Sequence, residues 1–219
     1  MELRKIGEEV LEFFFPSRCI FCRRWKGKFV RFCDGCRRSL PYARGASAEQ
    51  QFPHLARCLS PLYYEDSVRD SLLRYKFGGQ SGYARVYGEL LADCLKEHPG
   101  TYDCVAWVPL SRKRLRRRGY DQAELLAREV GARMDLPVRG LLLKRRHTRA
   151  QSATGNGEKR RANIAGAYKV REGETVQGLR ILLVDDIVTT GSTLSECAKT
   201  LRAAGAAAVT GLSLARRRE

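Results

Sequence analysis

The segment ILLVDDIVTTGSTLSE, Ile181 to Glu196, constrains this chain more than any other. A continuous apolar run, Ile181 to Val184, leads into two consecutive carboxylates, Asp185 and Asp186. The small residues Thr189, Thr190, Gly191, Ser192 and Thr193 follow, and then Leu194, Cys197, Ala198 and Leu201 recur at helical spacing up to Gly205. The pattern predicts a buried strand over Ile181 to Asp185, a tight loop, and a helix ended by glycine. A strand that is apolar throughout belongs to a sheet covered on both faces. In open sheets of that kind ligands bind beyond the carboxyl ends of the strands, where backbone N–H groups at a helix N-terminus attract anions. Small side chains, Gly191 above all, let an anion approach the backbone closely, so the loop reads as a phosphate cradle. It is neither the triphosphate loop, since no G-x-x-x-x-G-K-[ST] occurs, nor a dinucleotide fingerprint. Two acids beside a phosphate need a group that welcomes carboxylates. A sugar with vicinal hydroxyls, alone or bridged by a metal, meets that need.

The flanking sequence repeats the alternation of strand and helix. CVAWVP, Cys104 to Pro109, is a second apolar run. A helix over Asp121 to Met134 opens with the capping pair Asp121-x-x-Glu124, and a last strand runs over about Val209 to Leu214. Val68, Leu72 and Tyr75 mark a short helix broken by Gly78 and Gly79; Val86, Leu90, Leu91 and Cys94 mark another. Near the N-terminus Leu3, Ile6, Val10 and Phe13 predict an amphipathic helix ended near Pro16. Pro41, Gly45, Pro53 and Pro61 punctuate a polar stretch read as a linker. The expected organisation is therefore an N-terminal helix and cysteine element over 1–40, a linker over 41–60, and an α/β domain over 61–219, a parallel sheet flanked by helices. At 43% hydrophobic residues the chain has the side chains for such a core.

The eight cysteines form two populations. Cys19, Cys22, Cys33 and Cys36 read C-x2-C, ten residues, C-x2-C. Each C-x2-C places two sulfurs on one tight turn, and two facing turns supply the four thiolates of a tetrahedral zinc site. A redox dithiol is the rival for one C-x2-C, but two copies without a βαβ frame disfavour it. Cys58, Cys94, Cys104 and Cys197 sit among apolar residues as small hydrophobes. This usage predicts a reducing, cytoplasmic setting. No run of about 18 apolar residues occurs, and VLEFFF is broken by Glu12 and lacks a small-residue cleavage site, so neither a membrane span nor a signal peptide is expected.

The formal net charge is +17, concentrated in runs: six of the eight residues from Ser111 to Arg118 are basic, and Lys144 to Arg149 and Lys159 to Arg161 repeat the pattern. Such runs attract polyanions, whether a phosphorylated small molecule or a nucleic-acid backbone. In the cysteine element Arg18, Arg23, Arg24 and Lys26 interleave with Phe21, Trp25, Phe29 and Phe32, which suits backbone contact and base stacking. A structural knuckle docked on the main domain fits the same residues.

The acid pair and its loop resemble the type I phosphoribosyltransferase motif. In that motif the acids approach the ribose hydroxyls, and the loop, here Thr189 to Thr193, holds the 5-phosphate of phosphoribosyl pyrophosphate. The resemblance extends to the whole chain: the two C-x2-C pairs, the YKF-G segment at Tyr75 to Gly78, RLRRRGYDQ at Arg114 to Gln122, Thr148 with Gln151, and Arg161 with Asn163 together resemble the ComF family. That resemblance implies a phosphoribosyltransferase-like domain with an N-terminal zinc finger, and a part in natural competence, the uptake of transforming single-stranded DNA. It places the catalytic acids at Asp185 and Asp186, and pyrophosphate binding at the turn Leu110–Ser111 with Arg112. Arg114, Arg116, Arg117 and Arg118 become the nucleic-acid candidates. Magnesium accompanies phosphoribosyl pyrophosphate, and single-stranded DNA and an uptake helicase are the expected partners. The alternative is an active transferase of nucleotide metabolism with an unknown acceptor. One departure is visible: purine-salvage members of the fold carry an acid where this chain has Thr189, so the loop is closer to the orotate-type pattern. The stretch Arg146 to Arg161 has the make-up of a mobile lid.

Overall fold

The computed structural model describes residues 18–25, 32–145 and 164–218. The predicted N-terminal helix, the lid stretch, Thr148, Gln151, Arg161 and Asn163 lie outside these residues.

Eight strands and six α-helices are described. In chain order they are α1 (Asp34–Ser39), β1 (Glu49–Gln50), β2 (Arg57–Leu59), β3 (Leu62–Tyr63), α2 (Asp66–Phe77), α3 (Tyr83–Glu97) and β4 (Cys104–Trp107). Then come α4 (Arg112–Arg118), α5 (Gln122–Met134), β5 (Leu142–Lys144), β6 (Tyr168–Val170), β7 (Arg180–Val188), α6 (Ser192–Ala203) and β8 (Ala208–Arg216). The main sheet runs β1-β2-β8-β7-β4, with β3 also on β8; β1 and β2 pair antiparallel and every other pair is parallel. β5 and β6 form a separate antiparallel pair.

Because side chains alternate across a strand, β7 feeds two cores. Leu182 and Val184 face a layer built on Leu72, Tyr75, Leu91, Leu126 and Val130 from α2, α3 and α5. Ile181 and Leu183 face the other, with Leu194, Cys197 and Leu201 of α6 and Leu142 and Tyr168 of the small β pair. Helices on both faces are what the fully apolar strands required. Cys58, Cys94, Cys104 and Cys197 are all buried.

Three features differ from the sequence reading. First, β7 does not stop at its first aspartate: it runs to Val188, because β8 extends to Arg216 and offers partners to Asp185, Ile187 and Val188. Asp186 has no partner in that register, and its N–H donates instead to the Asp185 carboxylate at 2.8 Å. Second, residues 41–60, expected as a linker, contain β1 and β2, and β2 lies against β8 in the same sheet (Arg57↔Thr210, Leu59↔Leu212). Third, Phe21 and Phe32 do not project for stacking. They are 2% and 4% exposed, meet edge to face at 5.3 Å, and join the first core, while Trp25 is 67% exposed. The cysteine element is thus docked. Ser71 Oγ donates to the Ile20 carbonyl at 2.6 Å, and Arg74 donates to the carbonyls of Ile20 and Phe21 at 2.8 Å.

Candidate functional site

After β4 the chain crosses to α4 and α5, and α5 packs in the first core; after β7 it turns to α6 in the second. Neighbouring parallel strands whose continuations leave on opposite faces open a crevice between them, the place where doubly wound sheets bind ligands. A cavity of about 300 Å³ lies there, at the lower end of the size range for small-molecule sites. Its wall comes from the turn after β4 (Val108, Pro109, Leu110), the end of β7 (Asp185, Asp186, Ile187), the following loop (Thr189, Thr190) and Thr193 at the start of α6. Lys76, Arg114, Arg118, Lys144, Asp121 and Gln122 also line it.

Charge is arranged by element. Lys76, on the last turn of α2, holds Asp186 Oδ1 at 2.8 Å in an ion pair of low exposure (18% and 14%). Arg114 and Arg118 stand four apart on α4, so one helix face delivers both. Arg118 also stacks on the Phe77 ring, 4.8 Å from its centroid. Lys144 of β5 donates to the Tyr168 hydroxyl of β6 at 2.9 Å, and burial lowers its pKa, as it does that of Arg118. Asp121 caps α5, accepting from the N–H groups of Ala123 and Glu124, and its other oxygen accepts from Leu110 N–H at 2.8 Å. One carboxylate thereby fixes both a helix start and the turn after β4. Burial, outweighing these bonds, raises its pKa to about 6. Asp185 is pushed up to about 8, first by burial and then by the charge of Asp186.

Of the residues singled out in the sequence, Asp185, Asp186, Thr189, Thr190, Thr193, Leu110, Arg114 and Arg118 border this one cavity. Gly191, Ser192, Ser111, Arg112, Arg116 and Arg117 are not among its lining residues. Ser192 is buried and its Oγ lies 2.8 Å from Thr190 Oγ1. Gly191 adopts φ +66 with the Phe52 ring against it, and Ser111 caps α4. Arg112, Arg116 and Arg117 are exposed, so α4 turns two arginines inward and the others outward. Sequence reasoning missed Lys76, Asp121 and Gln122 as site residues, although each stands inside a motif. It also missed Lys144 and Tyr168, which only the β5–β6 pairing brings to the cavity.

The four sulfurs of Cys19, Cys22, Cys33 and Cys36 lie within 4.8 Å of one another, with Cys19–Cys36 at 3.7 Å and Cys22–Cys33 at 3.4 Å. Tetrahedral zinc with Zn–S near 2.3 Å sets sulfurs about 3.8 Å apart. The residues fit a structural zinc ion, which Cys19 and Cys22 would hold from a turn and Cys33 and Cys36 from the start of α1.

Residues 115–219 match the family described as phosphoribosyl transferase domain. The chain is 31% identical to competence protein F of Haemophilus influenzae, covering 93% of this chain and 98% of that protein. It is 34% identical to competence protein ComFC of Streptococcus pneumoniae, over 70% of this chain and 65% of that one. It is 29% identical to DNA utilization protein YhgH of Salmonella typhi, over 87% and 86%. Among the described residues no helix is long and apolar enough to cross a membrane.

Proposed function

Because the chain belongs to the ComF family of competence proteins, with a type I phosphoribosyltransferase-like fold, we propose that it binds phosphoribosyl pyrophosphate with magnesium in the β4–β7 crevice and serves natural competence. The observation that carries this reading is the division of charge around one cavity: a carboxylate pair at the end of β7, a small-residue turn leading into α6, and four cations from three separate elements.

Asp185 and Asp186 suit the ribose hydroxyls, and Thr189, Thr190 and Thr193, at the positive end of α6, suit the 5-phosphate. Arg114, Arg118 and Lys144 supply positive charge opposite, where a pyrophosphate would lie. Asp185 and Asp186 are the carboxylates that would hold magnesium, which would supply charge neutralisation for the pyrophosphate. In a transfer, the bond from C1 to the pyrophosphate oxygen breaks with the electron pair leaving on pyrophosphate, and a lone pair of the acceptor forms the new bond to C1. The protein's part is then to orient the sugar and stabilise charge on the leaving group.

The outward cations of α4, Arg112, Lys113, Arg116 and Arg117, are exposed on the same helix that arms the cavity. They suit the backbone of single-stranded DNA, the substrate class implied by competence, with an uptake helicase as partner and the cytoplasm as the place of action. Titration calorimetry with phosphoribosyl pyrophosphate and magnesium tests the site. Saturable binding that is lost in Asp185→Ala/Asp186→Ala supports it, and equal affinity in that double variant refutes it. Magnesium-dependent pyrophosphate release above background separates a working transferase from a binding protein.

A further inference from the structure

Carboxylates taken out of water need compensation, and the two acids at the end of β7 receive it in different ways. Asp185 is compensated by a proton, because burial and the charge of Asp186 push its pKa up to about 8. Asp186 is compensated by the Lys76 ammonium, 2.8 Å from its Oδ1, with little of either side chain exposed. The pair is thus neutralised by two separate unit charges, the same total that one divalent cation carries. Lys76 reaches Asp186 from a fixed base near the end of α2. Its neighbour Tyr75 donates its hydroxyl to the Gln122 carbonyl at 2.9 Å, and the Tyr75 carbonyl accepts from the Tyr120 hydroxyl. On the other side, the Phe77 ring carries the Arg118 guanidinium, and Gly78 N–H closes the helix on the Arg74 carbonyl at 2.7 Å. An ammonium on a four-carbon stem can pivot from such a base without moving the backbone. Both ends of the ion pair border the cavity, which Lys76 shares with Arg114, Arg118 and Lys144.

Resting on the phosphopentose reading above, we infer that Lys76 is a transferable counter-ion: it keeps free magnesium off Asp186 and passes to the pyrophosphate of the incoming ligand, opening that carboxylate to the metal. Magnesium arriving alone has to displace the ammonium and strand it beside a cation, the costly half of a broken pair of low exposure. Phosphoribosyl pyrophosphate brings oxygens that accept the ammonium, so the displacement is compensated. Metal and ligand therefore strengthen each other's binding by one shared factor. Lys76 is a positioning residue in this scheme, since it acts through the charge on Asp186.

The test is calorimetry of the full chain at pH 9, above the value to which Asp185 is pushed, so that its proton contributes little. Wild type, Lys76→Met and Lys76→Arg are each titrated with magnesium alone, with metal-free phosphoribosyl pyrophosphate, with metal-free ribose 5-phosphate, and with magnesium in the presence of phosphoribosyl pyrophosphate. Lys76→Met should bind magnesium alone about 5- to 150-fold more tightly than wild type, and the factor by which phosphoribosyl pyrophosphate tightens magnesium should fall. Metal-free phosphoribosyl pyrophosphate should weaken in that variant, while ribose 5-phosphate, which lacks the pyrophosphate, stays the same. Lys76→Arg keeps the charge and should hold free magnesium off as wild type does. Unchanged magnesium affinity in Lys76→Met overturns the inference, even where phosphoribosyl pyrophosphate weakens, because Lys76 is then a phosphate contact alone. An equal loss for both sugar phosphates overturns it as well. Failure of wild type to bind either sugar phosphate, with or without magnesium, instead overturns the phosphopentose reading together with it.

Discussion

A proton on Asp185 sets the most demanding test of the site. Its carboxyl is pushed from the ordinary 3.8 to about 8, by burial first and by Asp186 second, with Asp186 N–H and Lys76 pulling the other way. At pH 7 a group with that pKa is ionised in about one molecule in eleven. If the ligand requires both carboxylates charged, its apparent affinity at pH 7 is lowered about tenfold from the fully ionised limit, close to 1.4 kcal/mol. Binding at pH 7 must then expel nearly one proton, and at pH 9 about 0.1. Calorimetry of magnesium phosphoribosyl pyrophosphate between pH 6.5 and 9, in buffers of different ionisation enthalpy, counts that proton directly. Asp185→Asn should abolish the slope above pH 7, which separates it from titration of the ligand's own phosphates. Lys76→Met removes a charge that lowers the Asp185 pKa, so it should move the midpoint upward. The linkage to folding has a definite sign: the folded-state pKa lies above the unfolded one, so the protonated group's stabilisation is complete below about pH 4 and is lost as pH rises through 8. Wild type should therefore lose stability across that window relative to Asp185→Asn. No proton release, or an undiminished slope in Asp185→Asn, refutes the reasoning.

Gly191→Ala places a Cβ at a left-handed residue, where it meets Phe52 ring atoms at 2.2–2.6 Å. Backbone strain costs about 1–2 kcal/mol, read as a lowered denaturation midpoint; an unchanged midpoint contradicts the loop geometry. Metal analysis should return one zinc per chain. Chelation should lower the thermal midpoint and expose Phe21, since the knuckle carries part of the first core; a chelator without effect excludes that role. Arg116→Ser/Arg117→Ser should lower single-stranded DNA affinity and flatten its salt slope by about 0.7 for each phosphate no longer neutralised, leaving phosphoribosyl pyrophosphate binding intact. Arg114→Ser/Arg118→Ser should weaken the small ligand. Loss of both ligands in both pairs would contradict the two-faced reading of α4.

Local chemistry was legible in the chain where neighbouring residues carry it. The β7 loop, the cysteine spacing and the Asp121 cap each rest on residues within one or two turns of one another, and all three are present in the folded chain. What was hidden depends on pairing across the chain. Glu49–Gln50 and Arg57–Leu59 have turn residues on every side; β8, some 150 positions on, makes Arg57–Leu59 a strand, and Glu49–Gln50 then pairs antiparallel with it. The same strand lengthens β7 past its aspartates, against their low preference for strands. In the site, Lys76, Lys144 and Gln122 come from three separate elements with no shared motif spacing. For Phe21 and Phe32, aromatic and basic interleaving suited a nucleic-acid surface and a docked knuckle alike; burial decided.

The position of β8 has a consequence for biosynthesis. It is the last strand in order along the chain, yet it lies between β2 and β7 and pairs with β3 as well. Until a ribosome has delivered about residue 216, the exposed margins of β2, β3 and β7 have no backbone partner, and unpaired margins of this kind recruit other chains. Contacts so distant in sequence also close slowly. Nascent chains of this protein should therefore lean on chaperones until β8 has been made, and a premature stop upstream of Ala208 should give insoluble product, with no partly active fragment.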